Sequence, residues 1–178
     1  MHASVMDFVR HEAAALGLNH KKVLEVGSLN VNGSARQFFD GPYLGVDMQA
    51  GPGVDQVLNA HDLDHTMLLG APFDLIVCTE MLEHDSAPWL TLSAMRHHVW
   101  PGAYLLLTCR GYDNIYGMTR CFEVHEYPQD MWRFSVPGVT ALLKHTGWDP
   151  VNVRNDPSDP GVFAVATCSN EALGCSDA

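Results

Sequence analysis

The stretch Val23-Leu-Glu-Val-Gly27-Ser-Leu-Asn30-Val-Asn-Gly33-Ser34 decides the fold. Its first four residues are a short β-rich run that stops at Gly27, and the segment onward to Gly33 is polar and turn-prone. Gly27 permits a tight turn beside a ligand, while Gly33 and Ser34 can open a following helix, expected over 34–39 and halted by Asp40-Gly41-Pro42. A strand, a turn and a helix in that order form the first unit of a doubly wound sheet, whose first loop comes closest to a ligand.

Outward from this unit the pattern repeats. Upstream, Val5, Phe8, Val9, Ala13 and Leu16 share one helical stripe over 4–16, with Ser4 and Asp7 as the expected N-cap pair. Downstream, 43–48 is a second strand, Gln49 to Gly53 a Gly- and Pro-rich loop, and 54–58 a third strand. The continuous apolar run 73–79 predicts a strand buried on both faces, hence the sheet centre. A helix is expected over 87–99 with Pro88 in its first turn, ended by Pro101-Gly102, and a buried strand over 103–109. Ser135 can cap a helix over 136–145 that Gly147 terminates, after which 148–154 and 162–168 alternate like a closing antiparallel pair. The expected class is α/β: a Rossmann-like doubly wound sheet, mostly parallel with an antiparallel edge strand. A single domain over 1–170 is expected, with a leading helix in 1–20, a substrate-side loop or lid over 110–135, and a flexible tail over 171–178.

Twenty-one acidic against 10 basic side chains give a formal charge of −11, which opposes binding to a phosphate backbone. Nucleic acid is therefore not an expected partner. Five Cys without a C-x-x-C pair argue against a disulfide framework, and neither an export signal nor a membrane-length apolar run is evident. A cytoplasmic protein without a membrane partner is the expectation.

The acidic residues carry the functional reading. Asp47 lies 22 positions after Glu25 at the end of the second strand, where a carboxylate can hold ribose hydroxyls, with Met48 beside it. Asp62, after the third strand and next to His61, can accept from an adenine amino group, and Glu80 closes the fourth strand. Acidic residues at successive carboxyl ends suit a cationic ligand rich in hydroxyl and amine donors. Here the chain resembles the class I S-adenosylmethionine-dependent methyltransferases, in the branch related to the Methyltransferase type 11 domain. Glu25-x-Gly27 is similar to the first motif, Gly45-Val-Asp47 to the ribose-binding second, His61-Asp62-Leu63 to the adenine-side third, and Glu80-Met-Leu-Glu83-His84 to the fourth; Pro101-Gly102 resembles the turn into the fifth strand. The resemblance implies the seven-stranded methyltransferase fold, with S-adenosylmethionine as cofactor. It places Glu25 near the methionine moiety or in ordering the loop, and Gly27 along the cofactor. Ser28, Leu29 and Asn30 stand where the family loop is richer in glycine. The cofactor candidates are Glu25, Gly27, Ser28, Asn30, Gly33, Asp47, Met48, His61, Asp62 and Glu80.

Methyl transfer from a sulfonium chiefly needs alignment and exclusion of water, and a base only if the nucleophile begins protonated. His84 and His125 are the candidate bases, His125 lying in a segment that resembles the family's H-x-x-P-x-D-x-W-R-F pattern. The alternative is structural: His125, Asp130 and Arg133 as a brace, Tyr127, Trp132 and Phe134 as a packed lid, His84 as a helix cap and Glu83 as a solvated neighbour. Asp113, Asn114 and Glu80 could supply oxygen to Mg²⁺, and Cys121 with His125 is only half a zinc site; no metal is expected. Cys78 and Cys109 read as buried-strand cysteines. The expected function is methylation of oxygen, or else nitrogen, on a small-molecule or carbohydrate-like acceptor. The alternatives are a catalytically silent module that binds cofactor or a partner, and an NAD(P)-dependent oxidoreductase, which the missing G-x-G-x-x-G demotes. A homodimer or a partner enzyme is compatible with this reading.

Overall fold

Every residue of Phe73–Thr79 except Asp74 is buried, so both faces of this strand need cover. In the computed structural model, which describes residues 2–115, 118–123 and 129–169, it lies at the centre of a seven-stranded sheet. The strands are β1 (Val23–Val26), β2 (Tyr43–Asp47), β3 (Gln56–Val57), β4 (Phe73–Thr79), β5 (Val99–Arg110), β8 (Trp148–Asn155) and β9 (Gly161–Cys168), with a separate hairpin of β6 (Tyr112–Ile115) and β7 (Met118–Cys121). Their order is β3-β2-β1-β4-β5-β9-β8. The pairs from β3 to β5 are parallel, and β9 runs antiparallel to both β5 and β8. The winding reverses between β1 and β4, where a sheet of this kind opens a crevice at its carboxyl edge.

Period-2 alternation sends the two sets of side chains to different layers. Val23, Leu75, Val77, Leu106, Phe163 and Val165 pack with Val5, Phe8, Val9 and Ala13 of helix α1 (Ala3–Ala15), and the Phe8 and Phe163 rings stack 4.7 Å apart. Leu24, Ile76, Leu105, Leu107 and Ala164 form the other layer with α2 (Pro88–Met95) and α3 (Val136–His145), through Leu92, Met95, Val139 and Leu143. Fully buried Trp148 joins that layer and donates its Nε1–H to the Leu92 carbonyl at 2.9 Å. No described helix is long and apolar enough to cross a membrane.

Several elements differ from the sequence pattern, each for a local reason. Ser4 does not cap α1: it lies in the first turn and donates to Asp156 at 2.9 Å, pinning the helix to the end of the sheet. The helix expected over 34–39 is one 3-10 turn, Ala35–Phe38, because the returning chain must squeeze Gly41 against the backbone of His20 and Lys21. The third strand keeps only two residues in the ladder. Helix α2 stops at Met95 and tightens to a 3-10 turn because three successive side chains are drawn away: Arg96 to Ser169, His97 to Asp64 and His98 to the Leu63 carbonyl. Strand β5 therefore begins at Val99, and Pro101-Gly102 falls inside it, where the register on β4 jumps from Phe73–Val99 to Leu75–Tyr104. Ser135 caps α3 as its sequence suggests, accepting from the Gly138 N–H at 3.1 Å.

Candidate cofactor and acceptor site

Gly27 makes the turn at the end of β1. Its φ is +83°, and a Cβ there would lie 2.8 Å from Met81 Cγ, so both backbone and space call for glycine. The N–H groups of Gly27 and Ser28 both reach the Val46 carbonyl, at 2.9 and 3.1 Å. This carries the loop sideways, over the end of β2.

There it meets Asp47, whose carboxylate accepts from the Leu29 N–H at 3.1 Å and the Gln49 N–H at 2.9 Å. Two N–H bonds fix the carboxylate and leave lone pairs free, since an ionised carboxylate has about four acceptor positions. The loop after β2 then folds back: Asn30 N–H reaches the Pro52 carbonyl at 2.8 Å, and a Cβ on Gly53 (φ +87°) would stand 2.7 Å from the Ser28 carbonyl. The first loop can thus lack glycines in its middle because Gly45, Gly51 and Gly53 opposite it make the room. Asn30 accepts from the Gly33 N–H at 2.8 Å, so its side chain closes the loop on itself. Ser28 is 2% exposed and its Oγ has no hydrogen-bond partner among the described residues.

Glu25 is 2% exposed on β1 and accepts from the Tyr43 hydroxyl at 2.8 Å. Burial pushes its carboxyl up to about 7, against the opposing Tyr43 hydrogen bond, and burial likewise raises the phenol. Its contact is with β2, ordering the strands below the loop. Met48 is 64% exposed, an apolar side chain left bare beside Asp47. Asp62 is exposed on the 3-10 turn Ala60–His65 after β3. His61 is otherwise engaged: its Nε2 lies 2.5 Å from Oδ1 of Asp85.

Glu80 sits at φ +53°, and both carboxylate oxygens are occupied, Oε1 by the Thr108 hydroxyl at 2.9 Å and Oε2 by Arg110 Nε. Burial pushes its carboxyl up, against the pull of Arg110. Arg110, 1% exposed, also reaches Asp156 at 3.4 Å and stacks on Phe122 at 4.6 Å. Glu80 therefore braces the ends of β4 and β5. Glu83 is not solvated: it is fully buried, neither oxygen has a well-formed hydrogen bond among the described residues, and burial, then Glu80, raises its carboxyl to about 8.

On the acceptor side, His84 Nδ1 stands 3.0 Å from Asp130, which also takes Arg133 at 2.5 Å. A brace of the kind expected around Asp130 and Arg133 exists, with His84 in it; His125, Tyr127 and the tail over 171–178 lie outside the described residues. The Arg133 guanidinium is further occupied by the carbonyls of Phe122, Glu123 and Trp132. Trp132 and Trp89 meet edge to face at 6.3 Å and, with Tyr112, Phe134 and Leu142, wall a cleft of about 250 Å³. Asp113 is held in the β6–β7 hairpin by two bonds from Arg120, at 3.0 and 2.5 Å. Among the described residues no three His, Cys, Asp or Glu side chains gather as metal ligands do.

The sequence reading did not single out Asp85, which lies three residues before the Pro-started helix α2. It bonds the Ala87 N–H at 2.8 Å and the Thr91 hydroxyl at 2.6 Å. Arg110 was also missed, its burial depending on partners far off in sequence.

No protein-family model matches the chain, and no curated protein matches its sequence. Solved structures share its fold. The 1,6-didemethyltoxoflavin-N1-methyltransferase of Burkholderia thailandensis, solved with its substrate and S-adenosylhomocysteine, superposes with a TM-score of 0.72 at 16% identity over 94% of this chain and 79% of that one. An S-adenosylmethionine-dependent methyltransferase of Clostridium acetobutylicum gives 0.66 at 9% identity, covering 95% and 92%. The magnesium protoporphyrin IX methyltransferase of Synechocystis PCC 6803, solved with S-adenosylmethionine, gives 0.63 at 14%, covering 92% and 78%. The fold is thus the Rossmann-like one of S-adenosylmethionine-dependent methyltransferases.

Proposed function

We propose that the chain is an S-adenosylmethionine-dependent methyltransferase that methylates an oxygen, with nitrogen the alternative, of a small-molecule or carbohydrate-like acceptor. The observation that carries this is Asp47 at the end of β2, pinned by the Leu29 and Gln49 N–H groups of the loops after β1 and β2, one strand from the reversal between β1 and β4. The donor set fits the cofactor. Asp47 offers acceptors to ribose hydroxyls, Met48 an apolar surface and Asp62 an acceptor to adenine, while the buried, unpartnered Ser28 Oγ is a spare polar group in the cradle. Glu25, Asn30 and Gly33 shape the loop, and Glu80 the sheet edge beside it.

S-adenosylmethionine, held by these residues, would supply an electrophilic methyl group. The chain's own residues align the acceptor and keep water out. The cleft walled by Trp89, Tyr112 and Trp132 lies beyond β4 and β5 and suits the acceptor. Its aromatic walls are compatible with a ring face, sugar or heterocycle. His84 or His125 takes a proton where the acceptor is a hydroxyl.

Calorimetry with S-adenosylhomocysteine tests the reading. Binding is expected for the wild type and, because a hydrogen bond to a charged group contributes about 1.5–3 kcal/mol, a loss of roughly 10- to 100-fold for Asp47→Ala. Unchanged binding in the variant, or none in the wild type, overturns it. A second reading, a module that holds cofactor without turnover, draws on the engagement of His84 with Asp130. It predicts intact cofactor binding with no S-adenosylhomocysteine formed across a broad acceptor panel.

A further inference from the structure

The turn Leu82–His84 and the residue after it touch both sides of the site. On one side, Asp85 Oδ1 lies 2.5 Å from Nε2 of His61, on the loop that carries Asp62. On the other, the Asp85 carbonyl accepts the indole N–H of Trp132 at 2.6 Å. The same strap is held twice more, its Met131 and Trp132 N–H groups both reaching the Glu83 carbonyl, at 2.7 and 3.1 Å. Asp85 itself cannot drift. Its side chain is 3% exposed and tied to the first turn of α2 by Ala87 and Thr91.

His61 and Trp132 lie 71 positions apart in sequence, yet one residue separates them in bonds. With His61 on its carboxylate and Trp132 on its carbonyl, one buried residue anchors both the Ala60–His65 turn and the wall of the aromatic cleft, so a ligand that tightens the turn also tightens the hold on that wall. We infer that Asp85 is a positioning residue that couples occupation of the cofactor side to docking of the 130–134 strap, so that the acceptor cleft is completed once the cofactor is in place. This rests on the methyltransferase reading of the site. It assigns an order: a cleft wall that shares its anchor with the cofactor loop favours cofactor first and acceptor second. The coupling is thermodynamic and so reciprocal, cofactor and strap favouring each other by one factor.

Hydrogen exchange on the full chain, with and without saturating S-adenosylhomocysteine, tests it, saturation being set by calorimetry on each variant. In the wild type the ligand is expected to slow exchange at residues 60–65 and also at Met131 and Trp132, the latter by roughly 5-fold or more, the lower end of ordinary coupling between sites. In His61→Leu protection near 60–65 should remain while that at Met131 disappears. In His61→Gln, which keeps an N–H within reach of Asp85, it should return, a rescue that loss of packing alone would not give. Trp132→Phe, which cuts the link at its other end, should uncouple Met131 as His61→Leu does. If the ligand binds the wild type but leaves Met131 and Trp132 unprotected, or if His61→Leu and Trp132→Phe keep the distal protection, the coupling is wrong and the methyltransferase reading stands. If calorimetry detects no binding to the wild type, that reading falls and the coupling falls with it.

Discussion

At Gly27 two constraints coincide: a left-handed φ and a neighbour, Met81, that leaves no room for a methyl group. Gly27→Ala is expected to destabilise the protein by about 1–3 kcal/mol, with Met81→Ala in the same chain recovering the steric part but not the conformational part. Urea unfolding of the two single variants and the double variant separates them; an additive double variant would contradict the contact. Arg110 is a harsher case. With Glu80 on one side and Asp156 on the other, Arg110→Met leaves two buried carboxylates without a countercharge, for a loss of about 3–5 kcal/mol by urea unfolding. Replacing Glu80 as well should restore part of it. Residue identity announced the first of these sites and not the second. Glu25-x-Gly27 and Asp47 stand out because turn geometry and spacing along one chain are local facts, whereas the burial of Arg110 is set by Phe122 and Asp156. Glu83 misled for the same reason, a carboxylate being charged and solvated until the fold encloses it.

Elements were legible where their pattern was continuous. Strands β1, β4 and β9 and helix α3 fall close to where apolar period, Gly and capping residues put them, because each is long or buried enough for one periodicity to dominate. The 34–39 and 96–99 segments were not: the close return at Gly41 shortens the first, and side-chain bonds to remote partners end the second. Helix α1 shows how an element can be read correctly and still be anchored unexpectedly. Its ring contact on Phe163 and the Ser4–Asp156 bond join it to β9 and the turn before it, so Phe8→Ala should cost about 3–5 kcal/mol while Ser4→Ala costs about 0.5–1.5 kcal/mol. Equal effects by thermal or urea unfolding would mean that the helix is held by the Ser4–Asp156 bond as much as by its core face.

For the whole molecule, pH is the informative variable. Glu25 and Glu83 have carboxyls raised to about 7 and about 8 from an ordinary 4.5, so the folded chain holds protons that the unfolded chain has released. Their contribution is complete below the ordinary value and is lost as pH rises through the folded ones. Stability should therefore fall between about pH 5 and 8, each group contributing up to about 1.4 kcal/mol per pH unit inside its window. Glu83→Gln, neutral at every pH, should flatten the upper part of that fall. Urea midpoints measured from pH 5 to 8.5 decide it, and a wild-type midpoint that rises across this range would contradict the burial of both groups.

The interlock between the loop after β1 and the Gln49–Gly53 loop bears on how this architecture can be transplanted. Glycines that might crowd a single turn are here shared across two, with Gly51 and Gly53 accommodating Leu29 and Ser28. A graft of residues 27–34 alone into another scaffold would arrive without the surface it leans on, and should collapse or clash. The unit to transplant is residues 23–57 taken together, since each loop leans on the other.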